Sequence, residues 1–140
     1  MSIHNLLHVD PSSAAPIWRQ IEDGVRRLVV SGRLDEGTAV PSVRELAKGL
    51  RVNPATVSKA YRRLTDAGLL VVRRGEGTFV AEISDRRREK ELRILLDDGA
   101  SAFVQIAMSI GADRQTAIDA VTKGWQRRIS GGGEGTDDES

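Results

Sequence analysis

The 140-residue sequence contains no cysteine, which excludes a disulfide framework, a thiolate metal site and a cysteine nucleophile. Histidine is almost as scarce. His4 and His8 stand in the N-terminal stretch with no acidic cluster beside them, and they read as surface residues rather than ligands. No glycine-rich phosphate loop, metal-ligand spacing or nucleophile–base set is present, so neither an enzyme, nor a cofactor, nor a bound metal is expected. No apolar run approaches membrane-spanning length, and the first residues lack the basic-then-apolar pattern of a secretion signal, so a soluble cytoplasmic protein is expected.

What the chain does carry is charge, unevenly placed. The formal net charge is only +1, yet residues 41–90 hold 12 Lys/Arg against 6 Asp/Glu, and residues 91–140 hold 5 against 9. A basic excess confined to one part of a chain is the electrostatic footprint of nucleic-acid binding. The length allows one compact domain and a small appendage.

The basic part is organised around residues 41–66, PSVRELAKGLRVNPATVSKAYRRLTD, which read as two short helices and a tight turn. Ser42 and Glu45 have the spacing of a capping box, and Val43, Leu46, Ala47 and Leu50 follow as one apolar face. Asn53 is a preferred N-cap, and Pro54 fits the first helical position, where its missing N–H costs nothing. Val57, Ala60, Tyr61 and Leu64 form the buried stripe of the second helix, which Gly68 stops. At about 100° per residue, Ala55, Lys59, Arg62 and Arg63 fall on the far side, flanked by Thr56 and Ser58. This is the helix-turn-helix pattern, whose second helix enters the DNA major groove. Small or polar residues at its front let the helix approach base edges, and the basic ones behind reach phosphate or guanine.

Two β-prone runs follow, Leu69–Val72 and Thr78–Ala81, around the glycine-containing loop Arg73-Arg74-Gly75-Glu76-Gly77. A hairpin with two arginines, directly after a basic helix, makes a winged helix-turn-helix. The wing is placed to lay Arg73 and Arg74 on a phosphate strand or in the minor groove.

With these pieces in order, residues 16–81 resemble the DNA-binding domain of the GntR family of bacterial transcription regulators. The resemblance rests on PIWRQI at 16–21, SGRLDEGTAVPSVRELA at 31–47, VNPATVSKAYRRL at 52–64 and RRGEGTFV at 73–80. It implies a repressor-type regulator that binds a palindromic operator as a homodimer. It also implies DNA contacts by Arg44 of the PS-x-R motif, by Thr56, Ser58 and Lys59, and by Gly75 and Gly77 at the wing tip. Ser42, Asn53 and Thr78 flank these positions and complete the candidate set. Many members carry basic residues where this chain has Pro54 and Ser58. The Asn53-Pro54 pair resembles the short YtrA-like branch, which implies control of a neighbouring transporter operon.

The flanking segments read as follows. Ile3, Leu6, Leu7 and Val9 suit an N-terminal arm, residues 1–15, packed on the domain or on a dimer mate. Pro16 opens a helix with Ile17, Ile21, Val25, Leu28 and Val29 on one face and a stop at Gly32; Trp18 lies off that stripe, partly exposed. Ser84 caps a later helix whose first turn carries Arg86, Arg87, Arg88 and Lys90, read as a solvated turn close enough to the wing to touch DNA. Leu92, Leu96, Gly99, Phe103, Ile106 and Ile110 then recur with spacings 4, 3, 4, 3, 4, a heptad seam that pairs with another helix. Gly99, costing about 1 kcal/mol against alanine in a helix, permits close approach or marks a bend. Asp113 caps a last helix with Ala117, Ile118, Val121 and Trp125 on its apolar face.

These two helices are too short, and too poor in inward polar groups, to enclose a metabolite pocket of several hundred Å³, and they suit dimerisation instead. No residue pattern specifies a small-molecule effector. The expected fold is mainly α with a small β-hairpin: the arm 1–15, a winged helix-turn-helix domain at 16–82, a C-terminal α-helical dimerisation segment at 83–129, and a glycine-rich, acidic, disordered tail at 130–140. The rival to a DNA-binding regulator is a winged-helix protein–protein adaptor with an incidental basic face. Salt-dependent duplex binding separates the two.

Overall fold

Residues 3–131 are described by the computed structural model, and the helices form at the punctuation the sequence carries. Helix α1 (Ile17–Val30) follows Pro16 and ends before Gly32, α2 (Val43–Leu50) follows Ser42, and α3 (Pro54–Asp66) follows Asn53. Strands β1 (Leu70–Arg73) and β2 (Gly77–Val80) form an antiparallel hairpin, and α4 (Asp85–Ser109) and α5 (Arg114–Gly131) complete the chain. The architecture is mainly α with one hairpin, a winged helix-turn-helix domain followed by C-terminal helices.

By its internal packing the chain falls into two units, Met1–Leu95 and Leu96–Ser140. The core of the first is built from the apolar stripes of three helices: Ile21, Val25, Leu28 and Val29 from α1, Leu46 and Ala47 from α2, and Val57, Ala60, Tyr61 and Leu64 from α3. Leu69, Leu70, Val80 and Ile83 close it from the hairpin side. The N-terminal arm belongs to this core. Ile3, in a short 3-10 turn (Ile3–Asn5), and Leu7 are both buried. Two helical glycines explain how the arm fits: a Cβ on Gly24 would stand 2.6 Å from Leu7 Cδ2, and one on Gly49 would stand 2.9 Å from His4 Cγ. Gln20 then clamps the arm to α1, accepting from the Asp10 N–H at 2.8 Å and donating to the Asp10 and Ala15 carbonyls at 2.9 Å.

The hairpin ladder pairs Leu70 with Val80 and Arg73 with Gly77. It therefore runs one residue nearer the loop than the β-prone runs imply, and Arg73 is a strand residue rather than part of the loop. The connector before α2 lies on the outer edge of β2, through an Ala39–Phe79 bridge and bonds from Val40 N–H to Thr78 O (2.9 Å) and from Val80 N–H to Thr38 O (2.8 Å).

The start of α4 is only partly solvated: Arg86 and Lys90 are exposed, whereas Arg87 and Arg88 are half-buried. Ser84 Oγ accepts from the Arg87 N–H at 3.2 Å, which fixes the start of the helix. The Arg87 guanidinium donates to the Ala67 carbonyl at the end of α3. Arg88 donates to the Val29 and Val30 carbonyls at the end of α1, at 3.0 and 2.8 Å, and stands 3.8 Å from Glu36. The reason is electrostatic: the last carbonyls of a helix have no intrahelical partner and sit at the negative end of its dipole, so an arginine satisfies both. With Leu95 also packed on the core, the first unit extends past residue 82 into α4.

In the second unit α4 runs through Gly99 without interruption, and Gly111 turns the chain at φ +72°. Asp113 caps α5 by accepting from the Thr116 N–H at 2.8 Å, a bond that holds its carboxyl below the usual carboxylate range. Ala107 is buried and Phe103 and Ala117 are half-buried, whereas Leu96 and Ile110 are each 75% exposed and Trp125 71%. Helix α5 takes in Ser130 and Gly131, so the expected tail cannot begin at 130. Its remaining residues, 132–140, lie outside the described residues.

Candidate nucleic-acid interface

The candidate interface is assembled from α2, α3 and the wing. Ser42 Oγ accepts from the Glu45 N–H at 3.1 Å, capping α2. The reciprocal bond of a capping box, from the Ser42 N–H to the Glu45 carboxylate, is not formed among the described residues, so only half of that expected motif is realised. Asn53 Oδ1 accepts from the Ala55 N–H at 2.9 Å and caps α3. Between the helices, Arg51 adopts the left-handed conformation at φ 58° and ψ 47°, the one non-glycine residue with positive φ among those described. Tyr61 fixes α3 against the start of α2 by donating its hydroxyl to the Pro41 carbonyl at 2.8 Å. Burial, with a smaller contribution from Glu45, pushes the Tyr61 phenol well above its usual range.

With its apolar stripe turned inward, α3 leaves Ala55, Lys59 and Arg62 exposed and Thr56 and Ser58 half-buried on the flanks. Arg44 is exposed on α2 and Arg74 in the wing loop. The side chains of Arg44, Arg62 and Arg74 have no ion pair or hydrogen bond among the described residues, and α3 carries no acid before Asp66. In the wing, the Arg73 guanidinium lies 4.5 Å from the Phe79 ring centre. Gly75 and Gly77 hold φ values of +79° and +120°, so both positions need glycine for the turn itself. Thr78 is half-buried, and its carbonyl is used by the Val40 N–H.

Arg63 has a second use that periodicity does not reveal. Its Nε donates to the carboxylate of Glu22 at 2.7 Å. Glu22 is buried on α1 and also pairs with Arg26 at 3.3 Å; Arg26 in turn pairs with Glu91 of α4 at 3.3 Å. Above this, the half-buried ring of Trp18 has Lys59 Nζ 4.3 Å and the Arg63 guanidinium 4.9 Å from its centre. Trp18 and Glu22 are one helical turn apart, as are Lys59 and Arg63, so two matched pairs meet across the α1–α3 contact.

All the candidate DNA-contacting residues belong to the first unit. Of the candidate dimer residues, Leu92 belongs to the first unit and Leu96, Gly99, Phe103, Ile106, Ile110, Ile118, Val121 and Trp125 to the second. Among the described residues no cluster of His, Asp or Glu is arranged to hold a metal ion, and no helix is long and apolar enough to cross a membrane.

Comparison with known proteins agrees with this geometry. The model of the gntR family of bacterial regulatory proteins matches residues 18–80. The helix-turn-helix transcriptional repressor YtrA of Bacillus subtilis is 42% identical over 77 residues, which span 55% of this chain and 59% of that protein. The helix-turn-helix transcriptional regulator YhcF of the same organism is 33% identical over 112 residues, 78% of this chain and 89% of that protein. The solved structure of a GntR family transcriptional regulator from Listeria monocytogenes superposes with a TM-score of 0.69 at 31% identity, covering 81% of this chain and 97% of that one.

Proposed function

Since the chain belongs to the GntR family of bacterial transcription regulators, and to its YtrA-like branch, we propose that it is a dimeric repressor acting on an inverted-repeat operator. The observation that carries this reading is the outer face of α3. Lys59 and Arg62 stand there beside small residues with no acid before Asp66, while the neighbouring arginine, Arg63, has its own carboxylate in Glu22 of α1. Ala55, Thr56 and Ser58 read bases; Arg44, Arg62, Arg73 and Arg74 hold phosphates. The exposed apolar residues of the second unit, Leu96, Ile106, Ile110 and Trp125, support pairing with a second copy, because a stripe of this size on a lone helix pair faces water at a cost. The resemblance to the YtrA-like branch extends the proposal to a neighbouring transporter operon as target.

The test is fluorescence anisotropy with a duplex carrying an inverted repeat from the intergenic region upstream of the gene, against a scrambled duplex, at several salt concentrations. The expected outcome is preference for the repeat and a steep loss of affinity with salt. Replacing both Arg73 and Arg74 by alanine flattens that dependence by about 0.9 in log–log slope for each phosphate left unneutralised. Absence of salt-dependent binding to any duplex would sink this reading and leave the adaptor.

A further inference from the structure

Trp18 and Lys59 form a contact that neither the core nor the base-reading front of α3 accounts for. Trp18 is off the apolar stripe of α1 and half-buried, and two cations of α3 share its face: Lys59 Nζ at 4.3 Å and the Arg63 guanidinium at 4.9 Å. Arg63 is neutralised by Glu22, which is already shared with Arg26. Lys59 has no carboxylate and no hydrogen-bond acceptor among the described residues. A ring face attracts an ammonium through its quadrupole but accepts none of its three N–H bonds in the ordinary sense. The Trp18 ring therefore restricts the long Lys59 side chain while leaving its donors open, and the charge of the neighbouring Arg63 is already balanced by Glu22. That is the arrangement of a cation pre-set for an anion.

We propose that Trp18 is a positioning residue for DNA binding, whose ring holds the Lys59 ammonium as a phosphate contact on the α1 side of the recognition helix. The inference rests on the DNA-binding reading above and adds to it a side chain outside the helix-turn-helix. Its chemistry predicts which substitutions matter. Phenylalanine keeps a ring face; leucine keeps apolar cover and loses the face. An exposed cation–π contact corresponds to about two- to fivefold in a binding constant.

The experiment measures duplex affinity against salt for the parent, Trp18→Leu, Trp18→Phe, Lys59→Met and the double variant Trp18→Leu/Lys59→Met, with thermal melts of each. The expected result is that Lys59→Met lowers the salt slope by about 0.9, the share of the one phosphate it no longer neutralises. Trp18→Leu weakens binding by about two- to fivefold, Trp18→Phe stays near the parent, and Trp18→Leu adds nothing once Lys59 is methionine. Parent-like binding by Trp18→Leu alongside a weakened Lys59→Met overturns the proposal, because Lys59 then acts without the ring. An equal loss from Trp18→Leu in both backgrounds also overturns it, since the ring then acts through Arg63 or the fold. If the parent binds duplex and Lys59→Met binds identically, only this inference fails; if the parent binds no duplex, the DNA-binding reading fails with it.

Discussion

Replacing Arg51 by glycine is expected to stabilise the first unit, although it deletes a whole side chain. Arg51 closes α2 at φ 58° and ψ 47°, its side chain is exposed, and it has no partner among the described residues. The ends of α1, α3 and α4 use Gly32, Gly68 and Gly111 for the same left-handed step. A residue with a Cβ costs about 1–2 kcal/mol in this conformation. Glycine removes that cost and gives back about 0.5–1 kcal/mol through the greater freedom of the unfolded chain. The net gain is about 0.5–1 kcal/mol, or about 2–8 °C in melting temperature for a domain of this size. Gly68→Ala supplies the opposite sign: φ there is +75°, and the new Cβ would stand 3.0 Å from an Arg87 nitrogen. The assay is thermal and urea unfolding followed by far-UV circular dichroism, at one protein concentration because the proposed dimerisation would shift the midpoint. A variant Arg51→Gly that melts at or below the parent would refute the reasoning and mean that Arg51 makes a stabilising contact in solution.

The remaining expectations concern the second unit and Tyr61. Changing Leu96 and Ile106 to glutamate is expected to give monomers in sedimentation experiments with helix content largely retained; dimers of unchanged affinity would remove α4 from the interface. Because burial raises the folded-state pKa of Tyr61, the unfolded chain releases that proton first on going alkaline, so stability is full below the ordinary tyrosine value of about 10 and falls as pH rises through it. Urea midpoints between pH 8 and 11 should show this decline, and Tyr61→Phe should make it shallower while lowering the midpoint at pH 8 through loss of the bond to Pro41. An unchanged slope in Tyr61→Phe would assign the decline to other groups.

Those features that depend on neighbours along the chain are legible in the sequence. The caps at Ser42, Asn53, Ser84 and Asp113, the turn at Gly68 and the buried stripe of α3 each follow from a few adjacent residues, and each is found where its pattern puts it. Contacts between distant segments are not. Glu22 carries no mark of burial, since a carboxylate in a helix ordinarily faces water; only the arrival of Arg63 and Arg26 makes its position tolerable. The connector residues Thr38 and Val40 bond to β2 through backbone groups, which every sequence has. The cluster Arg86-Arg87-Arg88 shows only its charge in the sequence, whereas Arg87 and Arg88 are placed by carbonyls that no side-chain pattern announces. At the candidate interface, Arg62 and Arg63 are neighbours of one type, and a difference of about 100° around α3 separates an unpaired cation from one paired with Glu22 of α1.

The grip of α4 on the ends of α1 and α3 has a practical consequence for dissecting the protein. A fragment cut where the wing ends, at residue 82, would present every helix of the DNA-reading part and still be incomplete. The Ala67, Val29 and Val30 carbonyls would be left without their guanidinium donors, and Arg26 without Glu91. The compact unit ends instead at Leu95, and trimming or fusing inside residues 83–95 is expected to undo the lock that holds the recognition helix at its far end.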